Sequence, residues 1–206
     1  MTAVSDRRTA RRRGASGLDP HSPTFAAFSD MLYVGVLIFA LSIAAVTWFA
    51  ALSAGVEELR AARHEDRHVR AGDVWAAFAD RVLKHPLSHV AAPSALTALV
   101  VVDVVLLPYA APGELWATVL PIVLAAGLGA IALRIVGAWR RGVAARRTFE
   151  IAWRRMSEDA AGSALLVLAV VAAGAIVAIA PMLAIVMPGP LALAAVAMDR
   201  DPQEET

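Results

Sequence analysis

Long apolar stretches separated by short charged ones dominate this chain. Met31–Val56, "MLYVGVLIFALSIAAVTWFAALSAGV", holds no charged residue. Val90–Gly113 holds only Asp103, Leu115–Trp139 only Arg134, and Ala160–Met198 none. About 18 consecutive apolar residues let a helix cross a hydrocarbon core ~30 Å thick. The pattern therefore predicts an all-α, polytopic membrane helix bundle with four main transmembrane helices. The first is Met31–Val56; as one straight helix it would run about 39 Å and must tilt or project past the core. The second is about His89–Tyr109 and the third about Leu115–Ala138, joined by the turn "PYAAPGE". The last run is too long for one span, and Pro181 and Met187-Pro188-Gly189-Pro190 interrupt it. That leaves a fourth span at about Ala161–Val186. The short apolar segment Leu191–Met198 then either crosses as a thin fifth span or lies re-entrant.

The polar segments carry a pattern of their own. Residues 57–88 open as a charged helical extension of the first span, "EELRAARHEDRHVR". They break at Ala71-Gly72 and resume as "VWAAFADRVLKH", with Asp73 placed to cap it. Val74, Trp75, Phe78 and Val82 fall on one stripe. Residues 139–159, "WRRGVAARRTFEIAWRRMSED", place Phe149, Trp153 and Met156 on one side. Both read as interfacial helices on the cytoplasmic surface, although the first would pack equally well against other polar loops. Trp75, Phe78, Trp116, Trp139 and Trp153 are the expected interfacial anchors. Arg134 joins them by snorkelling towards the headgroups.

Composition sharpens this picture. Of 206 residues, 59% are hydrophobic and 18% charged, and the mean hydropathy is +0.63, outside the range of ordinary soluble domains. The net charge of +1 hides strong local bias. Arg7, Arg8, Arg11, Arg12 and Arg13 mark residues 1–29 as a disordered basic tail, ahead of a membrane domain at 30–198 and a polar tail at 199–206. A twin-arginine export signal fits less well, because the apolar run exceeds a signal-peptide core of ~7–15 residues. The positive-inside rule puts both basic segments, 57–88 and 139–159, in the cytoplasm of a bacterial cell, with the chain multi-pass in the plasma membrane. One crossing by the first span then strands the Arg-rich N-terminus outside, against the same rule. A bent or re-entrant first segment would remove the conflict, so the side of the N-terminus stays open. With no cysteine, disulfides, thiol nucleophiles and cysteine metal sites are excluded. The basic stretches flank spans, where the headgroups of the lipid bilayer account for them better than nucleic acid does. Oligomeric state is not legible.

Two places carry candidate chemistry. His64-Glu65-Asp66-Arg67-His68 matches the H-E-x-x-H zinc pattern, which needs both imidazoles one turn apart on a buried helix and a third ligand. Its neighbours Arg60, Arg63, Arg67 and Arg70 oppose a cation. A solvated charged helix is the stronger expectation, with a pH-sensitive patch including His85 and His89 as a further reading. Asp103 is the better candidate. An acid within a span costs roughly 2.5–3.5 kcal/mol and is functional by default. Counted from the cytoplasmic ends, Ser42 and Asp103 both lie ~20 Å deep. The register predicts that Ser42 donates to Asp103, either at an ion- or proton-linked site or as a structural hydrogen bond worth ~0.6–2 kcal/mol.

Asp30, Ser42 and Thr47 also fall in the register of a known pattern. "DMLYVGVLIFALSIAAVTWFAALSAGVEEL" resembles the opening segment of the YesL-like bacterial membrane proteins, with Gly35, Ala44 and Phe49 standing where that family has Asn, Pro and Gly. Trp75 and Phe78 resemble its aromatic pair, Asp103 its acidic residue, and "RRTFEIAWRRM" its lead into the last spans, so the resemblance covers about residues 30–198. It implies a non-catalytic accessory role beside carbohydrate ABC uptake systems, with ABC permease subunits as partners. The alternatives are a small ion- or proton-coupled transporter centred on Asp103 and, behind it, a membrane metalloprotease at His64 and His68. No catalytic residue, cofactor or metal is expected under the first reading.

Overall fold

The first apolar run does not form one helix. In the computed structural model, which describes residues 22–43, 45–110, 114–140, 143 and 145–198, it folds back on itself. Its two arms are α1 (Pro23–Leu41) and α2 (Trp48–His64). Ser22 caps α1 by accepting from the Phe25 amide at 3.1 Å, and Pro23 takes the first helical position, where its missing N–H costs nothing. Residues 23–29, which composition assigns to the tail, thus already belong to a helix. The remainder of that tail, turn residues 111–113 and the C-terminal tail lie outside the described residues.

Hydroxyl groups end α1 by offering the backbone other partners. Ser42 Oγ donates to the Ile38 carbonyl at 2.7 Å, and Thr47 Oγ1 to the Leu41 carbonyl at 2.6 Å. Between them Ala45 takes a left-handed φ of 54°. α2 then returns antiparallel. Gly55 lies so close to Val34 and Ile38 that a Cβ on it would stand 2.6 Å from the Ile38 side chain. Past the end of α2, His68 Nδ1 reaches Asp30 at 3.2 Å. The turn is tied to the early part of the next long helix, where Ser94 Oγ donates to the Val46 carbonyl at 2.8 Å.

α2 is the centre of the molecule. Phe49 to Val56, Leu59 and Ala62 are all buried, among neighbours drawn from α1 and the later helices. The expected charged extension to Arg70 does not form. Asp66 takes a left-handed φ of 49°, which short polar side chains tolerate, and the helix stops at His64. α3 (Ala71–Lys84) follows with Arg70 at its cap position, so Asp73 lies inside the first turn and does not cap. Its buried face is Val74, Ala77 and Arg81, which leaves Trp75 at the edge, 59% exposed.

A π-helical turn, Leu87–Ala91, leads into α4 (Ala92–Ala110), and α3 meets the 87–103 segment at 104°. α5 (Leu115–Ala138) packs beside α4, and the amphipathic α6 (Ala145–Glu158) beside α5. Asp159 Oδ1 accepts from the Gly162 amide at 2.8 Å and so starts α7 (Ala160–Ile179). Pro181 cannot continue α7; a 3₁₀ turn, Pro181–Ile185, leads instead to α8 (Pro188–Ala197). The expected fourth span therefore ends at Ile179, well short of Val186. With 10 residues, α8 is about 15 Å long, too short to cross ~30 Å of hydrocarbon. It turns back: Ala195 and Met198 border the same small cavity as Arg134 and Arg155. Gly35 of α1 and Gly189 of α8 make this second hairpin pack on the first, since a Cβ on Gly35 would stand 2.6 Å from the Val186 carbonyl oxygen.

Three helices are long and apolar enough to cross a membrane, Pro23–Leu41, Leu115–Ala138 and Ala160–Ile179. The bent pair of α3 with Leu87–Asp103 makes a fourth if counted as one span. Their outer surfaces are apolar. Leu99 and Leu106 of α4, Ile122 and Val123 of α5, and Leu168 and Val171 of α7 are all exposed. Apolar outer surface on this scale, on helices of this length, is the mark of a membrane protein.

Candidate functional site

The two histidines of the zinc pattern are not on one helix. His64 is the last residue of α2, and His68 lies in the following segment, 76% exposed and engaged with Asp30. Among the described residues, no group of three His, Asp or Glu side chains could hold a metal ion. Glu65 belongs to an ionic knot instead. Arg67 binds Glu65 and the buried Glu58, and Glu58 also accepts from the Arg70 amide at 3.1 Å. The Glu58 hydrogen bonds, followed by those of Glu65, hold the Arg67 guanidinium above its already high ordinary pKa. Nearby, buried Arg81 pairs with Glu57 and donates to the Ala77 carbonyl at 2.8 Å. The end of α2 is thus solvent-exposed as expected at residues 63–66, while buried Glu58 and Arg81 join α2 to α3 beneath it.

The predicted intramembrane pair does not form. Ser42 has one proton and gives it to Ile38. Thr47 serves the same turn, and Asp103 stands half-buried on α4. The depth argument fails because it assumed a continuous first helix.

Arg134 does not snorkel. Its side chain is 4% exposed, and Nη2 donates to Asp159 Oδ2 at 2.8 Å and to Ser163 Oγ at 3.2 Å. One carboxylate therefore caps α7 and neutralises a buried guanidinium from α5. Asp159 was missed, although an acid directly before an apolar run is a legible cap signal. Of the remaining expected anchors, Trp75, Trp116 and Trp153 are exposed. Phe78 is half-buried with its ring 5.7 Å from Trp75, and Trp153 stacks on Phe149 at 6.3 Å. Trp139 turns inward: its ring meets that of fully buried His89 edge-on at 4.3 Å. His85 lies 6.0 Å from His89, yet the pair forms no surface patch with His64 because His89 is in the interior. His89 Nδ1 lies 3.0 Å from Ser88 Oγ, and its Nε2 has no hydrogen-bond partner.

Beside this histidine lies an apolar cleft of about 440 Å³, partly open to the surface. Trp48 and Phe49 of α2 form one wall, Pro93, Leu96 and Val100 of α4 a second, and α5 from Ala125 to Ile135 a third. Trp139 and Phe149 line one end. The small residues Ala92, Ala125 and Ala132 line the cleft, whereas a Cβ on Gly129 would stand 2.9 Å from Val170 of α7. Its polar atoms satisfy one another: Trp48 Nε1 donates to Thr97 Oγ1 at 3.0 Å, and Thr97 donates to the Pro93 carbonyl at 2.8 Å. Its volume lies within the roughly 300–1,000 Å³ of small-molecule sites, and its lining includes the hydroxyls of Thr97 and of Ser88, whose Oγ lies 3.0 Å from His89 Nδ1. Asp103 is not part of its lining. No protein-family model, no curated protein and no solved structure matches the chain.

Proposed function

We propose that this chain is a non-catalytic, multi-pass protein of the bacterial plasma membrane. It acts as an accessory partner of a carbohydrate ABC uptake system and docks permease subunits through α3 and α6. The observation that carries the reading is where the buried charge goes. Glu58 and Arg81 fix α3 against α2, Arg134 holds Asp159 at the α6–α7 junction, and none of the three faces a cavity suited to chemistry. Burying charge is expensive and is repaid only by close pairing. Here it is spent on presenting two amphipathic helices whose exposed edges carry Trp75, Phe149 and Trp153, the residue types over-represented at binding hot spots.

The hairpin supports the topology of this reading. The start of α1 and the end of α2 lie together, as the Asp30–His68 contact requires. The chain can then keep its N-terminal arginines on the same side as the 57–88 and 139–159 segments, and the conflict with the positive-inside rule disappears. A photo-crosslinking residue at Trp153 or Trp75, introduced into the full chain in its native membrane, tests the docking. Adducts with a permease subunit are expected. Adducts with lipid alone would end the permease reading.

A further inference from the structure

We infer that the apolar cleft between α2, α4 and α5 is a binding site for an anionic phospholipid, with one acyl chain in the cleft and the headgroup at its Trp139–Phe149 end. The interior fits a hydrocarbon. Trp48, Thr97 and the Pro93 carbonyl already satisfy one another, so the lining presents mostly apolar surface to whatever fills it. Its α5 wall, Ala125 to Trp139, is about 20 Å long at 1.5 Å per residue. That shape is a slot suited to a chain and ill suited to a compact solute.

The basic charge is at one end. Phe149 at the mouth lies on α6 beside Arg146 and Arg147. Arg146 is shared with Glu150 at 3.0 Å, and exposed Arg147 adds a further positive charge, so this rim is net basic. At the opposite end the lining residues Val100 and Ala125 are uncharged, and the ionisable group one turn beyond Val100 on α4 is the acid Asp103. A basic rim over an apolar slot complements an anionic headgroup with a hydrocarbon tail. The site shares Phe149 with the face proposed to dock a permease, and it can be tested without that partner because it requires only membrane insertion.

The test uses the purified full chain in vesicles containing phosphatidylglycerol or phosphatidylcholine with a diazirine on the acyl chain. Labelling is expected to concentrate on residues 92–100 and 125–139, several-fold above the exposed apolar surface of α7, and to be stronger with phosphatidylglycerol. Filling the slot with Ala125→Leu and Ala132→Leu should cut the cleft signal several-fold and leave that of α7 unchanged. The signal on α7 reports folding and insertion of the variant. Labels spread evenly over α4, α5 and α7 would overturn the site. Equal labelling by the two lipids would overturn its anionic preference. A chain that does not insert in vesicles at all would instead overturn the membrane reading.

Discussion

Arg134 lies in an apolar helix and finds its counter-charge on Asp159, 25 positions later. The two partners are unequal. The Arg134 side chain is 4% exposed, whereas Asp159 is about one-third exposed and has a second task as the cap of α7. Asp159→Asn keeps an oxygen for the Gly162 amide but leaves a guanidinium buried without its anion. Breaking a buried pair this way costs roughly 3–5 kcal/mol, and water around Asp159 puts the expected loss at the lower end. Arg134→Met leaves a carboxylate that is hydrated and still caps, so its cost should be clearly smaller. The double variant should regain most of the stability lost in Asp159→Asn. Denaturant unfolding of the four proteins in detergent checks the order. If the two single variants lose the same amount, the asymmetric account of this pair is wrong.

Elements were legible where hydrophobicity alone decided them. α5, the hydrophobic body of α7 and the Pro181 break follow from apolar length and from proline, and the amphipathic α3 and α6 from spacing. The first run was misread because Ser42 and Thr47 look as much like membrane-helix residues as like turn residues. Only the carbonyls they find, Ile38 and Leu41, show that they end α1. That error carried into the site, since the Ser42–Asp103 pairing assumed a straight helix. The cleft was not legible either, because a cavity formed between three helices has no signature in any one of them. The hairpin is directly testable in a chain with no cysteine. Asp30→Cys with His68→Cys should be joined rapidly by a short bis-maleimide, since the native side chains are in contact. A continuous helix would hold the two sites tens of ångströms apart, and no cross-link would appear. The contact between hairpins is equally sharp. Gly35→Leu drives a side chain into the backbone at Val186 and Gly189 and should lower the melting temperature and folded yield. Gly127→Ala, with nothing within 4 Å of the added carbon, should be neutral or stabilising by up to about 1 kcal/mol.

On the scale of the whole molecule, the two hairpins decide how many chain ends share a side. The outer end of α1 lies towards His68. α4 begins and α5 ends around His89 and Trp139, and α8 comes back to the level of Arg134 and Arg155. Thr24, Arg70, Ser157 and Met198 should therefore all face one compartment, and Glu114, between α4 and α5, the other. With basic segments at 57–88 and 139–159, the positive-inside rule predicts that this shared side is the cytoplasm. Single cysteines at these five positions, probed on intact cells with a membrane-impermeant maleimide, separate the possibilities. Glu114→Cys should react before lysis and the other four only after it. Thr24→Cys reacting from outside would restore one full crossing by the first apolar run and remove the basis of the shared basic face. Met198→Cys reacting from outside would mean that residues 180–198 complete a crossing that the 10-residue α8 is too short to make by itself.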